Sequence, residues 1–260
     1  MEIITNTLSE AHEMAFDAIV QQHKEINIQT HTDKEEFTLE FEAPNGGDDQ
    51  IVLHILHPLM EPQVSDGCPF QKGFTEAYKK QFLTLTPPRA DGKHPVYTYW
   101  NRYEDHPTIN CLTGLFSGNG TGDGLHQVTE TIKKLAADPN SRRGVMVGWN
   151  PLLDLHNPEP PCMCLMQIVI RNGRVHMRVL FRSQDIGLGL PENLVGCTAF
   201  LEHVTNGINQ ISKVQYGVGE LTLVSWIPHI YKKRDQNYFD QMRAEIHRKK
   251  TLGLWHPITR

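Results

Sequence analysis

The 260-residue sequence predicts an α+β fold, a mixed β-sheet flanked by helices, carried by a single domain over residues 1–260. Two observations lead there. Segments with strand alternation and segments with helical spacing follow one another irregularly, without the regular strand–helix repeat of a doubly wound sheet. Asn172-Gly173 sits between two alternating apolar runs, the strongest short-range signal for a β-hairpin.

The elements follow in order. Residues 8–23 read as an amphipathic helix, with Ser9 as its cap and Ala11, Met14, Ala15, Ala18 and Ile19 on one face. Residues 37–41 alternate as a strand, 43–49 hold Pro, Asn, Gly and Asp as a turn, and 50–56 form a second strand. We expect those two strands to pair. A helix follows over 74–82, then a loop over 87–93. Residues 126–137 have helical spacing, with Val128, Ile132 and Leu135 apolar. Strands are expected over 144–149, 164–170, 175–181 and 220–226. Helices are expected over 194–204, entered after Pro191, and 236–249.

Apolar and charged fractions are those of an ordinary globular chain. The formal charge of −5 argues against general nucleic-acid binding. No run of about twenty apolar residues marks a membrane span, and the N-terminus lacks the basic-then-apolar pattern of a signal peptide. The five cysteines, Cys68, Cys111, Cys162, Cys164 and Cys197, have no framework spacing, so we expect a reduced, cytoplasmic setting. The glycine run from Gly118 to Gly124 lacks the Lys-Ser/Thr of a phosphate loop and reads as a flexible connection. His54 and His57, three apart in a strand, point to opposite faces, so we expect no metal site.

Cys162 carries the chemistry. It follows Pro160 and Pro161, which stiffen its approach, and precedes by about twenty residues a segment running from Phe181 through Arg182, Ser183, Asp185 and Gly189 to Asn193. A guanidinium lowers a thiol's pKa and makes it a nucleophile. An arginine beside a serine holds phosphate. A carboxamide donates and accepts, so Asn193 can read the edge of a base. Together these residues suggest covalent chemistry on a phosphorylated heterocycle.

This stretch resembles thymidylate synthases, which share Pro-Pro-Cys followed by Arg-Ser-x-Asp-x-x-Leu-Gly-x-Pro-x-Asn. Residues 138–143 and 149–151 resemble the family's arginine pair and the strand after it, and His229-Ile230-Tyr231 resembles its His-x-Tyr. The flavour is that of the archaeal-type members. The resemblance implies a thymidylate-synthase-like fold and a one-carbon transfer to carbon 5 of a pyrimidine nucleotide, dUMP favoured. The one-carbon donor would be 5,10-methylenetetrahydrofolate. Cys162 would be the nucleophile, with Arg182 near its sulfur. Arg182 and Ser183 would bind phosphate, helped by Arg142 and Arg143 reaching across a homodimer. Gln167 matches a family glutamine at the substrate, Asn193 would contact the pyrimidine, and His229 and Tyr231 the sugar. Asp185 would contact both the base and folate, and Leu188 and Gly189 folate. Glu61 is the candidate for organising the proton-transfer water and Tyr97 for the tyrosine near carbon 5, while Cys164 takes a structural role. Met163 after the cysteine, and Glu192 where the family has an aromatic, depart from the pattern. Hydroxymethylases acting on dUMP, dCMP or CMP share these motifs and form the alternative. A non-catalytic nucleotide- or RNA-binding relative is a third reading.

Overall fold

The computed structural model describes residues 1–29, 35–47, 49–70, 73–87, 98–109 and 116–255. Tyr97, Cys111 and most of the expected loop at 87–93 lie outside them. In chain order the elements are β1 (Glu2–Thr5), α1 (Leu8–Gln21), β2 (His23–Gln29), β3 (Glu35–Phe41), β4 (Ile51–Ile55), α2 (Phe74–Phe82), α3 (Tyr99–Glu104), β5 (Thr108–Ile109), β6 (Phe116–Ser117) and α4 (Gln127–Ala137). There follow β7 (Val145–Val147), α5 (Pro151–Asp154), β8 (Met163–Arg171), β9 (Arg174–Phe181), β10 (Gln184–Asp185), α6 (Gly189–Ile211), β11 (Gly217–Ser225), β12 (Pro228–Tyr231) and α7 (Gln236–Thr251).

The chain forms two compact units. The first comprises Met1–Tyr78, Leu180–Thr198 and Glu220–Arg260; the second comprises Lys79–Val179 and Ala199–Gly219. In the first, β4 lies between β1, which it pairs in parallel, and β11, which it pairs antiparallel. A second sheet runs β10-β12-β3-β2, with β10 parallel to β12 and the other pairs antiparallel. The expected mixed character is therefore present in both sheets. The expected pairing of residues 37–41 with 50–56 is not: β3 is claimed by β2 and β12, and β4 by β1 and β11. Partners distant in sequence outcompeted the local turn, which closes instead as a short 3₁₀ segment over Pro44–Gly46.

Helix α1 begins at Leu8, as expected, but its cap differs and it ends at Gln21, two residues before His23. Thr7, not Ser9, is the cap: its hydroxyl accepts from the Glu10 amide at 3.2 Å while the Glu10 carboxylate accepts from the Thr7 amide at 3.1 Å. Ser9 turns inward and donates to Glu13. Leu8, Ala11, Ala15, Phe16 and Ile19 are buried, and each large apolar side chain so removed from water contributes about 1.5–3 kcal/mol. Met14 and Ala18, expected on the same face, are only partly buried.

In the second unit the strand order is β9-β8-β7. The β8–β9 turn is the expected one: Asn172 and Gly173 both have positive φ, 51° and 70°, as a two-residue hairpin turn requires. Helix α4 buries Val128, Ile132 and Leu135. Arg102 and Asp154 form a bidentate ion pair at 2.8 and 3.0 Å, with side chains 2% and 0% exposed. The glycine run read as a flexible connection is held in place. Asp105, fully buried, accepts amide hydrogen bonds from Gly120, Gly122 and Gly124 at 2.6, 2.8 and 2.6 Å.

Helix α6 starts at Gly189 rather than near Leu194, and runs 23 residues. Pro191 falls in its first turn, where no intrahelical partner for an N–H is needed, so the proline continues the helix rather than preceding it.

Candidate active site

In the second unit Cys162 ends the Pro160-Pro161 approach and immediately precedes β8, where it is half-buried. Its surroundings are fixed by backbone bonds. The Tyr103 hydroxyl donates to the Met163 carbonyl at 3.1 Å, and the amides of Gly148 and Trp149 converge on the Cys164 carbonyl at 2.8 and 3.3 Å. Gly148 is obligatory there, because a Cβ would stand 2.5 Å from the Met163 carbonyl oxygen and 2.7 Å from the Tyr103 hydroxyl. The Cys164 thiol donates back to the Cys162 carbonyl at 3.4 Å, which fits the structural role expected of it.

Arg142 and Arg143 follow the end of α4 and are exposed. Gln167 on β8 is engaged within the chain: its amide donates to the Arg142 carbonyl at 3.0 Å, and Arg178 donates to its side-chain oxygen at 3.4 Å. Val145 and Val147 on β7 and Leu165 on β8 are exposed, with Val147 opposite Leu165 in the pairing register.

In the first unit the predicted segment folds as β10, a tight turn, and the start of α6. Arg182 and Ser183 precede β10 and are half-buried. The Ser183 hydroxyl lies 3.5 Å from Nδ1 of His229, which belongs to the neighbouring strand β12. Tyr231 packs edge-on to His229, ring centroids 5.0 Å apart. Asp185 pairs with His229 in the strand register, and its carboxylate accepts from the Gly187 amide at 2.9 Å. Gly189 keeps the space beside it open: a Cβ there would come within 3.1 Å of the Asp185 Cβ. Leu188, between them, is half-buried. Asn193 lies in the early turns of α6, half-buried. The structure thus brings Ser183, Asp185, His229 and Tyr231 together.

Glu61 belongs to the turn after β4 and is exposed, its carboxylate accepting from the Gln63 amide at 3.0 Å. Among the described residues, no three His, Cys, Asp or Glu side chains group as a metal site.

Sequence reading missed Arg234 and Asp235. The Arg234 guanidinium donates to Asp185 at 2.6 Å and to Asp235 at 2.6 and 2.5 Å, and lies 4.1 Å over the Tyr231 ring. Burial works against its charge, but the two carboxylates outweigh that and hold its pKa above the ordinary value. Their adjacency to the His-x-Tyr motif was the available signal. Burial, reinforced by the nearby charge of Asp185, also pushes the Glu192 carboxyl up from its ordinary value.

A family model described as Thymidylate synthase matches residues 82–255, about two thirds of the chain. A protein of Methanosarcina barkeri named "Putative thymidylate synthase" is 40% identical over 107 residues, 41% of this chain and 46% of that protein. One of the same name from Methanothermobacter thermautotrophicus is 34% identical over 175 residues, 67% of this chain and 66% of its own length. The matched segment thus spans about half to two thirds of these archaeal relatives. Thermostable thymidylate synthase A from Bacillus subtilis superposes with a TM-score of 0.62 over 92% of this chain and 84% of its own, at 17% identity, a likeness of fold.

Proposed function

The chain belongs to the thymidylate synthase family, and on that premise we propose that it is a thymidylate-synthase-type methyltransferase converting dUMP to dTMP in one catalytic domain. The reading rests above all on Cys162. Two prolines and a set of backbone hydrogen bonds fix the start of β8, so its sulfur is presented at a defined point rather than on a mobile loop.

The Cys162 thiolate adds to carbon 6 of the pyrimidine, which makes carbon 5 nucleophilic. Asn193 donates to the charge that develops on the ring oxygen, an electrostatic contribution of a few kcal/mol. Arg182 and Ser183 bind the phosphate and His229 and Tyr231 the sugar. Arg142 and Arg143 complete the phosphate cage of a partner subunit in a homodimer, and the exposed apolar Val145, Val147 and Leu165 suit such an interface. Glu61 orders the water that relays the carbon 5 proton; Tyr97 assists near carbon 5, and Gln167 supports the substrate through Arg142.

The carboxylate of Asp185 accepts from the Gly187 amide and Arg234, and its remaining lone pairs suit the N–H donors of a pterin edge, with Leu188 adding an apolar contact. Bound there, 5,10-methylenetetrahydrofolate supplies the one-carbon unit and, for a methyl product, the hydride. The cytoplasm is the proposed setting; no helix among the described residues is long and apolar enough to cross a membrane.

One observation favours a hydroxymethylase as the second reading. Glu192 puts a half-buried carboxyl next to Asn193, where the family resemblance calls for an aromatic, and a polar group there retains water. Mass spectrometry of the product formed from dUMP and methylenetetrahydrofolate tests the proposal. We expect a methylated nucleotide; a hydroxymethyl product supports the second reading, and no product with dUMP, dCMP or CMP refutes both.

A further inference from the structure

We infer that His12 is a positioning residue for the proposed reaction: from α1 its Nε2–H grips the backbone of Ile186 and Gly187, and so aims Asp185, at the end of a hydrogen-bond chain from Tyr238 through the Cys68 thiol. The inference rests on the role proposed for Asp185.

The geometry fixes the direction of each bond. Nε2 of His12 lies 2.9 Å from the Ile186 carbonyl oxygen and 3.1 Å from that of Gly187. Both are acceptors only, so Nε2 must carry the proton. Nδ1 then has only a lone pair to offer, and the group facing it at 3.7 Å is the Cys68 sulfur, which must donate. The Tyr238 hydroxyl stands 3.6 Å from that sulfur and 3.2 Å from Nε2. Because Nε2 is already a donor, the phenolic proton goes to sulfur. One arrangement of protons satisfies the whole chain: Tyr238 to Cys68, Cys68 to His12, His12 to the two carbonyls.

The chain is rigid as well as ordered. His12 is 1% exposed, and its ring lies parallel to that of Tyr238, 3° apart in plane, and edge-on to Phe16. Cys68 is held by its amide on the Ser65 carbonyl at 2.9 Å. Burial keeps all three groups neutral: it pushes the His12 pKa down to about 4 and the Cys68 thiol up to about 11, and raises that of Tyr238. The far side of the gripped turn is bonded to β12, where the Ile186 amide donates to the His229 carbonyl at 2.7 Å. The turn carrying Asp185 is therefore clamped between α1 and the His229 strand. Losing His12 removes the α1 half of that clamp while leaving the β12 half in place.

Nitrogen-15 NMR of histidine-labelled protein at neutral pH reads the tautomer directly. We expect His12 protonated on Nε2, and a shift of its Nδ1 signal in Cys68→Ala, which leaves the imidazole in place. In steady-state kinetics His12→Leu should raise the KM for methylenetetrahydrofolate by about tenfold or more with the KM for dUMP little changed. His12→Gln, whose amide reaches the Nε2 position, should recover most of that loss. Amide exchange across residues 185–190 should quicken in His12→Leu and not in His12→Gln. An Nδ1-protonated tautomer overturns the inference, as does a His12→Leu protein with unchanged folate KM and unchanged exchange. A wild type that turns over no nucleotide defeats the functional reading alone; tautomer and exchange then still decide whether His12 holds the turn. Should His12→Leu not fold, Cys68→Ala carries the test, and an unmoved Nδ1 signal there counts against the chain.

Discussion

Acidification below pH 6.5 should destabilise this protein through His12. The fold holds His12 neutral, with its pKa down from 6.5 to about 4. The unfolded chain therefore binds a proton that the folded chain refuses, and stability falls as pH drops. The contribution is complete above 6.5, is lost on the way down to about 4, and is gone below that. The whole gap is worth about 3 kcal/mol, of which about 2 kcal/mol is lost between pH 7 and 5. His106 and His203 are also lowered by burial and add loss of the same sign. A difference measurement removes them. Urea denaturation of wild type and His12→Gln across pH 7 to 5 should show the wild type losing about 2 kcal/mol more than the variant. Parallel curves would mean that His12 titrates normally, and that the burial argument is wrong.

Four further outcomes are expected. Cys162→Ala should abolish turnover while the dUMP Kd, measured by calorimetry, stays within about threefold of wild type, since the phosphate and sugar contacts lie elsewhere; wild-type-like turnover would end the proposed mechanism. Mixing Cys162→Ala with Arg142→Ala/Arg143→Ala protein should restore activity if subunits exchange, because one site then draws its thiol and its arginines from intact copies; a monomer in sedimentation at assay concentration would sink this arrangement. Asn193→Asp should lower the kcat/KM ratio of dUMP to dCMP by about tenfold or more, because a carboxylate accepts from the cytosine amino group; an unchanged ratio would remove Asn193 from base reading. Asp154→Ala should cost about 3–5 kcal/mol in urea denaturation, because the Arg102 charge stays buried without its bidentate carboxylate, and a loss under about 1 kcal/mol would show that the pair is not held as described.

What the sequence revealed tracks how locally each feature is encoded. Helix α2 falls on the predicted residues because its spacing and turns lie within nine residues. The β8–β9 hairpin follows from two residues whose backbone preferences leave little choice. Strands β1 and β2 went unread. The first is four residues long, and the second, His-Lys-Glu-Ile-Asn-Ile-Gln, has only Ile26 and Ile28 to mark an apolar face and is paired by β3 along its whole length. The candidate site divides the same way. The motif around Cys162 and Asp185 was legible because contiguous residues carry it. The His12–Cys68 contact spans 56 positions and the Tyr238–His12 contact 226, and no spacing rule connects them.

The glycine loop around Asp105 has a bearing on how mutational data for this protein should be interpreted. Three amides of the kind that elsewhere cup an anionic ligand are already committed to a carboxylate of the chain itself. Gly118 and Gly120 hold positive φ, and a Cβ on Gly120 would lie 2.2 Å from the Thr86 carbonyl oxygen, on Gly124 2.6 Å from that of His106. A saturation screen would therefore find these half-buried loop glycines as unforgiving as Cys162, for an unrelated reason. Intolerance at Cys162 would track lost chemistry with the protein still folded; intolerance in this loop would track lost protein.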